Sequence, residues 1–164
     1  MLRTAAALLP VDARAVMYEG LGELPHFNPD VEQNALPAQV AGLRAALAAA
    51  DAVLLSTPEY AGSLPGSFKN LLDWCVGEGL YQKPVGWLNP SPHERGSERT
   101  YDTLRVVLGY VNADLVEAAC VRAPVRRDSI GPDGLVGDAH AREQIARAVA
   151  ALVAHVRALR DAAG

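Results

Sequence analysis

The sequence predicts an α/β protein built on a mostly parallel sheet with helices on both faces. Two observations carry that expectation. Short apolar runs of strand length alternate along the chain with apolar residues at helical spacing. Such alternation is the pattern of a parallel sheet whose crossovers are helices. In addition, two of the apolar runs lead directly into segments rich in Gly, Pro and Ser, TPEYAGS and NPSPHERGS. Parallel sheets bind ligands beyond the C-terminal ends of their strands, and both segments fall there.

In chain order, the expected strands are Ala13–Tyr18, Ala52–Ser56, Pro84–Leu88 and Asp114–Val121. Leu36, Val40, Leu43 and Leu47 recur at helical spacing, with Pro37 suited to a first turn. Phe68, Leu71, Leu72 and Cys75 share one helix face, and Tyr101, Leu104, Leu108 and Val111 form another stripe. The last segment reads as the clearest helix. Ile145, Val149, Leu152, Val153, Val156 and Leu159 make its buried face, Asp138 caps it, and Glu143 and Arg147 stand at i,i+4.

At 164 residues the chain is one domain, large enough to bury a core. A net charge of -4 offers no basic stripe, so binding to nucleic acid has no electrostatic support. No apolar run approaches the ~18 residues of a membrane span. MLRTAAALLP lacks the cleavage region of a signal peptide, so a cytoplasmic protein is expected. Cys75 and Cys120 lie far apart without a CxxC or a His at metal spacing, which points to buried apolar fillers. No metal ligand set is expected. The run His93 to Arg95 reads as a solvated loop, and Arg126, Arg127 and Asp128 open a Gly/Pro-rich segment that reads as a flexible connection.

TPEYAGSLPGSFKNLLDW, followed by KPVGWLNPSP, resembles the NADPH-dependent FMN reductase family, which includes bacterial quinone and chromate reductases. The positions that carry the resemblance are Pro58, Glu59, Tyr60, Ser63, Pro65, Gly66, Lys69, Asn70, Asp73 and Trp74, with LPHFNPDVE upstream and PDGLVGD downstream. The resemblance implies a flavodoxin-like doubly wound parallel sheet of order 2-1-3-4-5, FMN as cofactor, NADPH or NADH as co-substrate, and a homodimer or homotetramer. It implies a ring-binding loop at Pro58, Glu59, Tyr60, Ala61, Gly62 and Ser63, and a second ring-side loop at Asn89, Pro90 and Ser91. The family's glycine after Ser-Pro is His93 here.

Physically, fixed main-chain donors can satisfy the carbonyls and nitrogens of a flavin edge, and Ala61 and Gly62 let the backbone come close. Hydride passes from nicotinamide to flavin and on to a quinone or similar small acceptor. That chemistry obliges no protein acid or base, so no catalytic side chain is expected. The alternative is an FMN-free flavodoxin-like dimeric binding or scaffold protein.

The resemblance also implies a first strand and a phosphate-binding loop that this sequence lacks, because LRTAAALLP corresponds to the helix after that loop. Hydrogen bonds to a charged phosphate contribute roughly 1.5–3 kcal/mol each, so the loss of several weakens FMN binding severely. The expectation is therefore an N-terminally truncated domain over 1–164 whose start lies upstream of Met1. The other outcome is a variant in which Ala13–Tyr18 pairs directly with the strand at Ala52–Ser56.

Overall fold

The structure is a computed structural model that describes residues 1–93 and 96–164. Glu94 and Arg95, and with them most of the His93 to Arg95 run, lie outside the described residues.

Among the described residues, three parallel strands form the sheet in the order β1-β2-β3: β1 Val53–Leu55, β2 Pro84–Asn89 and β3 Asp114–Arg122. Side-chain alternation sorts them between two layers. Val53, Leu55, Val85 and Trp87 face α3 (Ala38–Ala49), α4 (Gly66–Asp73) and α5 (Glu98–Tyr110), where Val40, Leu43, Phe68, Leu72, Leu104 and Leu108 are buried. Leu54, Leu88 and Val121 face α1 (Leu2–Ala7) and α6 (Ala139–Ala163) through Ala5, Ile145, Ala148 and Val149. Helices on both faces of a parallel sheet make the fold doubly wound and flavodoxin-like.

The helices begin where the sequence predicts. Asp138 caps α6, its carboxylate accepting from Ala141 N–H at 2.7 Å, and Pro37 immediately precedes α3. Leu36 lies before that helix and is exposed. The short α2 (Pro29–Asn34) is capped by Asn28, which accepts from Asp30 N–H at 2.9 Å. Both cysteines are free thiols. Burial pushes Cys75 up to about 12 and Cys120 up to about 11, so neither is a thiolate at neutral pH.

The pairing of β2 with β3 shifts register between Val85, opposite Leu115, and Trp87, opposite Cys120. Gly86 sits at that irregularity. A Cβ there would meet Ala119 Cβ at 2.7 Å and its carbonyl oxygen at 2.9 Å, so the close approach of the two backbones requires glycine.

Ala13–Tyr18 is not a strand. The segment has no regular secondary structure and joins no ladder among the described residues, with Val16 75% exposed. Nor does it pair with β1, whose only ladder among the described residues is the one to β2. The reason is the absence of a strand beside it: a lone apolar run gains nothing from extension unless its backbone groups find a ladder. The Ile130–Gly137 segment departs from expectation in the other direction. Ile130 and Val136 form an antiparallel bridge, Gly137 N–H donates to Ser129 at 2.7 Å, and buried Thr4 accepts from Val136 N–H at 3.0 Å. The connection is ordered by these bonds.

Candidate functional site

The loops after β1 and β2 lie side by side at the C-terminal end of the sheet, and they are built in opposite ways. In the first, Thr57 is buried while Pro58 to Gly62 are exposed. Tyr60 and Ser63 exchange two backbone hydrogen bonds of 3.0 Å around Ala61 and Gly62. Ala61 has φ 50° and Gly62 has φ 73°. Two successive positive φ values inside a two-residue turn are the signature of a type I′ turn, which glycine tolerates freely and alanine does not.

The turn consumes the N–H groups of Tyr60 and Ser63. It leaves those of Ala61 and Gly62 without a partner among the described residues. Tyr60 is 66% exposed beside them. Two free donors on a tip with no Cβ at residue 62 suit the carbonyl-bearing edge of a flat ring such as a flavin.

What holds this loop comes from α5. Thr100, fully buried, directs its hydroxyl to Ser63 O at 3.1 Å and Glu59 Oε2 at 3.2 Å. Glu59 is thus turned back against the protein, though it remains exposed. One residue on, the Tyr101 hydroxyl lies 2.6 Å from Leu88 O and 3.1 Å from Thr57 O, and accepts from Thr57 N–H at 3.4 Å. A single side chain therefore ties the end of β1 to the end of β2. Burial raises its phenol to about 12, so it stays a neutral donor.

The second loop satisfies itself. Asn89, 7% exposed, accepts from Ser91 N–H at 3.0 Å and donates to Gly96 O at 3.0 Å. The backbone carbonyls of Asn89 and Pro90 accept from Ala123 and Val125. Arg122, at the end of β3, donates to the carbonyls of Ser91 and His93. Gly96 closes the loop against Ser91, where a Cβ would lie 1.8 Å from Oγ. The Asn89 amide is committed to loop shape and leaves little to offer a ligand.

The side chains of Lys69, Asn70, Asp73 and Trp74 make their hydrogen bonds and ion pair away from the two loops. Asn70 accepts from Phe27 N–H at 2.8 Å and donates to Pro25 O at 2.9 Å, and Trp74 Nε1 donates to the same carbonyl at 2.8 Å. Lys69 pairs with Asp73 at 2.5 Å. This part of the motif fastens the LPHF segment to α4. Thr57, Thr100, Tyr101 and Arg122 escaped the sequence reading as loop-holding residues. For Tyr101 a signal existed: a tyrosine on a buried stripe needs a partner for its hydroxyl. Among the described residues, no cluster of three or more His, Cys, Asp or Glu could hold a metal ion.

The model of the family described as NADPH-dependent FMN reductase matches residues 1–125, a span that contains both loops. An NAD(P)H-dependent FMN reductase from Pseudomonas aeruginosa is 30% identical over 162 residues, covering 97% of this chain and 87% of the relative. A quinone reductase from Escherichia coli is 28% identical over 79% of this chain and 71% of its own length. Among solved structures, the flavoenzyme NAD(P)H:(acceptor) oxidoreductase FerB from Paracoccus denitrificans superposes with a TM-score of 0.79 at 25% identity, covering 95% of this chain and 87% of FerB. An oxidoreductase from Corynebacterium diphtheriae gives a TM-score of 0.68 at 24% identity and supports the fold.

Proposed function

Because the chain belongs to the NADPH-dependent FMN reductase family, we propose that it is an FMN-dependent NAD(P)H oxidoreductase acting on quinones or similar small acceptors. The observation that carries this reading is the family match across residues 1–125, which includes the turn with its two free donors. Bound FMN would take hydride from the nicotinamide and deliver two electrons to the acceptor. The chain's own part is to bind and orient. Pro58, Glu59, Tyr60, Ala61, Gly62 and Ser63 form the ring loop, with the N–H groups of Ala61 and Gly62 directed to the ring edge. Asn89, Pro90 and Ser91 form the second wall, with Asn89 fixing its shape. Catalysis needs no titrating side chain here, so removing one acid or base should not abolish turnover.

The complete sheet is read as order 2-1-3-4-5, with the central strand outside this sequence. Support comes from α6, where Arg157 pairs with Asp12 at 2.6 Å and Arg160 pairs with Asp51 at 2.7 Å. Residues three apart on a helix are neighbours, about 4.5 Å apart along its axis. The starts of segment 13–18 and of β1 are therefore held at the same end of the sheet, as two parallel strands require. We also read the protein as a cytoplasmic homodimer or homotetramer. Two free cysteines accord with a reducing compartment, and exposed Val106 and Tyr110, one turn apart on α5, offer apolar surface for a copy. None of the described helices is long and apolar enough to cross a membrane.

The test is a visible spectrum of the purified chain after FMN addition and gel filtration, beside a version extended upstream of Met1, each then assayed for NADPH oxidation with a quinone. Retained flavin and oxidation in the extended protein support the reading. Flavin retention by neither protein replaces it with the FMN-free scaffold.

A further inference from the structure

An open groove of about 350 Å³ lies beside the second loop, lined by Pro92, Val125, Arg126, Arg127 and Asp128. We propose that it binds the 2′-phosphoadenosine end of NADPH, with Arg126 and Arg127 gripping the 2′-phosphate. The inference rests on the oxidoreductase reading and goes beyond it by assigning the co-substrate and the residues that select it.

The groove's position follows from the sheet. The first loop follows β1, the second follows β2, and Ala123 to Val125 continue β3, bonding to Asn89 O at 2.9 Å and Pro90 O at 3.0 Å. The second loop therefore stands between the groove and the Tyr60–Ser63 turn. Such a site suits the outer end of a long ligand whose other end reaches the ring loop.

The chemistry of the groove fits a phosphomonoester. Two adjacent guanidinium groups supply forked donors and two positive charges, matched to a dianion. The Arg127 guanidinium has no partner among the described residues. Arg126 meets Asp128 only through Nε, at 3.4 Å, and both side chains are about three-quarters exposed, so that pair is weak and easily displaced. The backbone beneath them is fixed: Ser129 Oγ donates to Arg126 O at 2.7 Å, and the Ile130–Val136 bridge closes the segment that follows. Pro92 and Val125 give a purine an apolar wall. A nucleotide without the 2′-phosphate would leave both arginines unmatched.

Two measurements test the assignment. The first compares binding of adenosine 2′,5′-bisphosphate and 5′-AMP by calorimetry, and requires no flavin. The expected result is at least about tenfold tighter binding of the bisphosphate, as one charge-assisted hydrogen bond supplies. That preference should disappear in the R126A/R127A double variant and reverse in R127E. The second measures KM for NADPH and NADH on the flavin-loaded extended protein. In the double variant, KM for NADPH should rise at least about tenfold more than KM for NADH. Equal affinity for the two nucleotides, or an unchanged NADPH-to-NADH ratio in the double variant, overturns the proposal. A double variant that loses FMN relative to riboflavin while the ratio holds also overturns it, because the arginines would then serve the flavin's phosphate. Failure of the extended protein to retain flavin sinks the oxidoreductase reading separately, and the calorimetry still decides the groove.

Discussion

The loops after β1 and β2 occupy equivalent places on neighbouring strands, yet one offers its backbone and the other consumes it. The Tyr60–Ser63 turn uses two of its N–H groups and leaves two at an exposed tip. The Asn89–Gly96 loop is closed by the Asn89 amide, the Arg122 guanidinium and the tight contact of Gly96 with Ser91. The difference teaches how a site can be both firm and receptive. The described part of the second loop is tied down by its own hydrogen bonds, and a strained open turn beside it presents free donors.

Tyr101 couples the two, and its loss should have the largest effect. Tyr101→Phe leaves the buried Thr57 N–H without its acceptor and removes the donor shared by Thr57 O and Leu88 O. A buried group left unsatisfied costs roughly 1–3 kcal/mol, which lowers Tm by about 3–10 °C in a chain of this size. Thermal melts of the two proteins check this, and an unchanged Tm would separate the loops energetically.

The same residue shapes the alkaline limit. The folded phenol and the Cys75 thiol titrate near 12, above their ordinary 10.0 and 9.0. Burial disfavours both anions, so the unfolded chain releases these protons first. Their contribution is complete below pH 9 and is lost as pH rises towards 12. Melts between pH 8 and 11 should show Tm falling above pH 9, less steeply in Cys75→Ala. A flat profile would contradict the burial of both groups.

Two glycine substitutions separate the loops by cause. Gly62→Ala meets no atom within 4 Å but must adopt φ 73°, at a cost of about 1 kcal/mol. Gly96→Ala fails through contact with Ser91, whose Oγ would lie 1.8 Å and Cβ 2.8 Å from the new methyl, at about 1–3 kcal/mol. Adding Ser91→Gly, which removes both the Oγ and the Cβ that crowd residue 96, should relieve Gly96→Ala and leave Gly62→Ala untouched, as denaturant midpoints would show. Rescue of both, or of neither, would erase the distinction.

The smallest effect expected is a gain. Ala61 already holds φ 50°, so Ala61→Gly exchanges strain for chain entropy and should stabilise by up to about 1 kcal/mol. A clear loss of stability would mean that the turn is not type I′ in solution.

Much of this was legible along the chain. The apolar stripes of α4, α5 and α6 fell largely where expected because helical spacing is a local property, and Asp138 capped α6 for the same reason; the exceptions are Leu159, which is exposed near the end of α6, and Cys75, which is buried just beyond α4. The loop after β1, read as the ring loop under the proposed function, stood out through its motif. Its holding residues did not, since Thr100 and Tyr101 lie some forty residues from Thr57, Glu59 and Ser63, the loop residues they bind. The Ala13–Tyr18 run misled because strand-like composition becomes a strand only when a neighbour supplies the ladder.

Composition, periodicity and motif thus determined the α/β class, most of the helix faces and the position of the loop after β1, because each depends on residues near one another in sequence. Which backbone donors stay free, which carbonyls Tyr101 and Arg122 hold, and where Arg126 and Arg127 stand beside the second loop were decided by the tertiary structure. Those facts depend on which distant segments the sheet brings together, and hydrogen bonds are satisfied in space rather than along the chain.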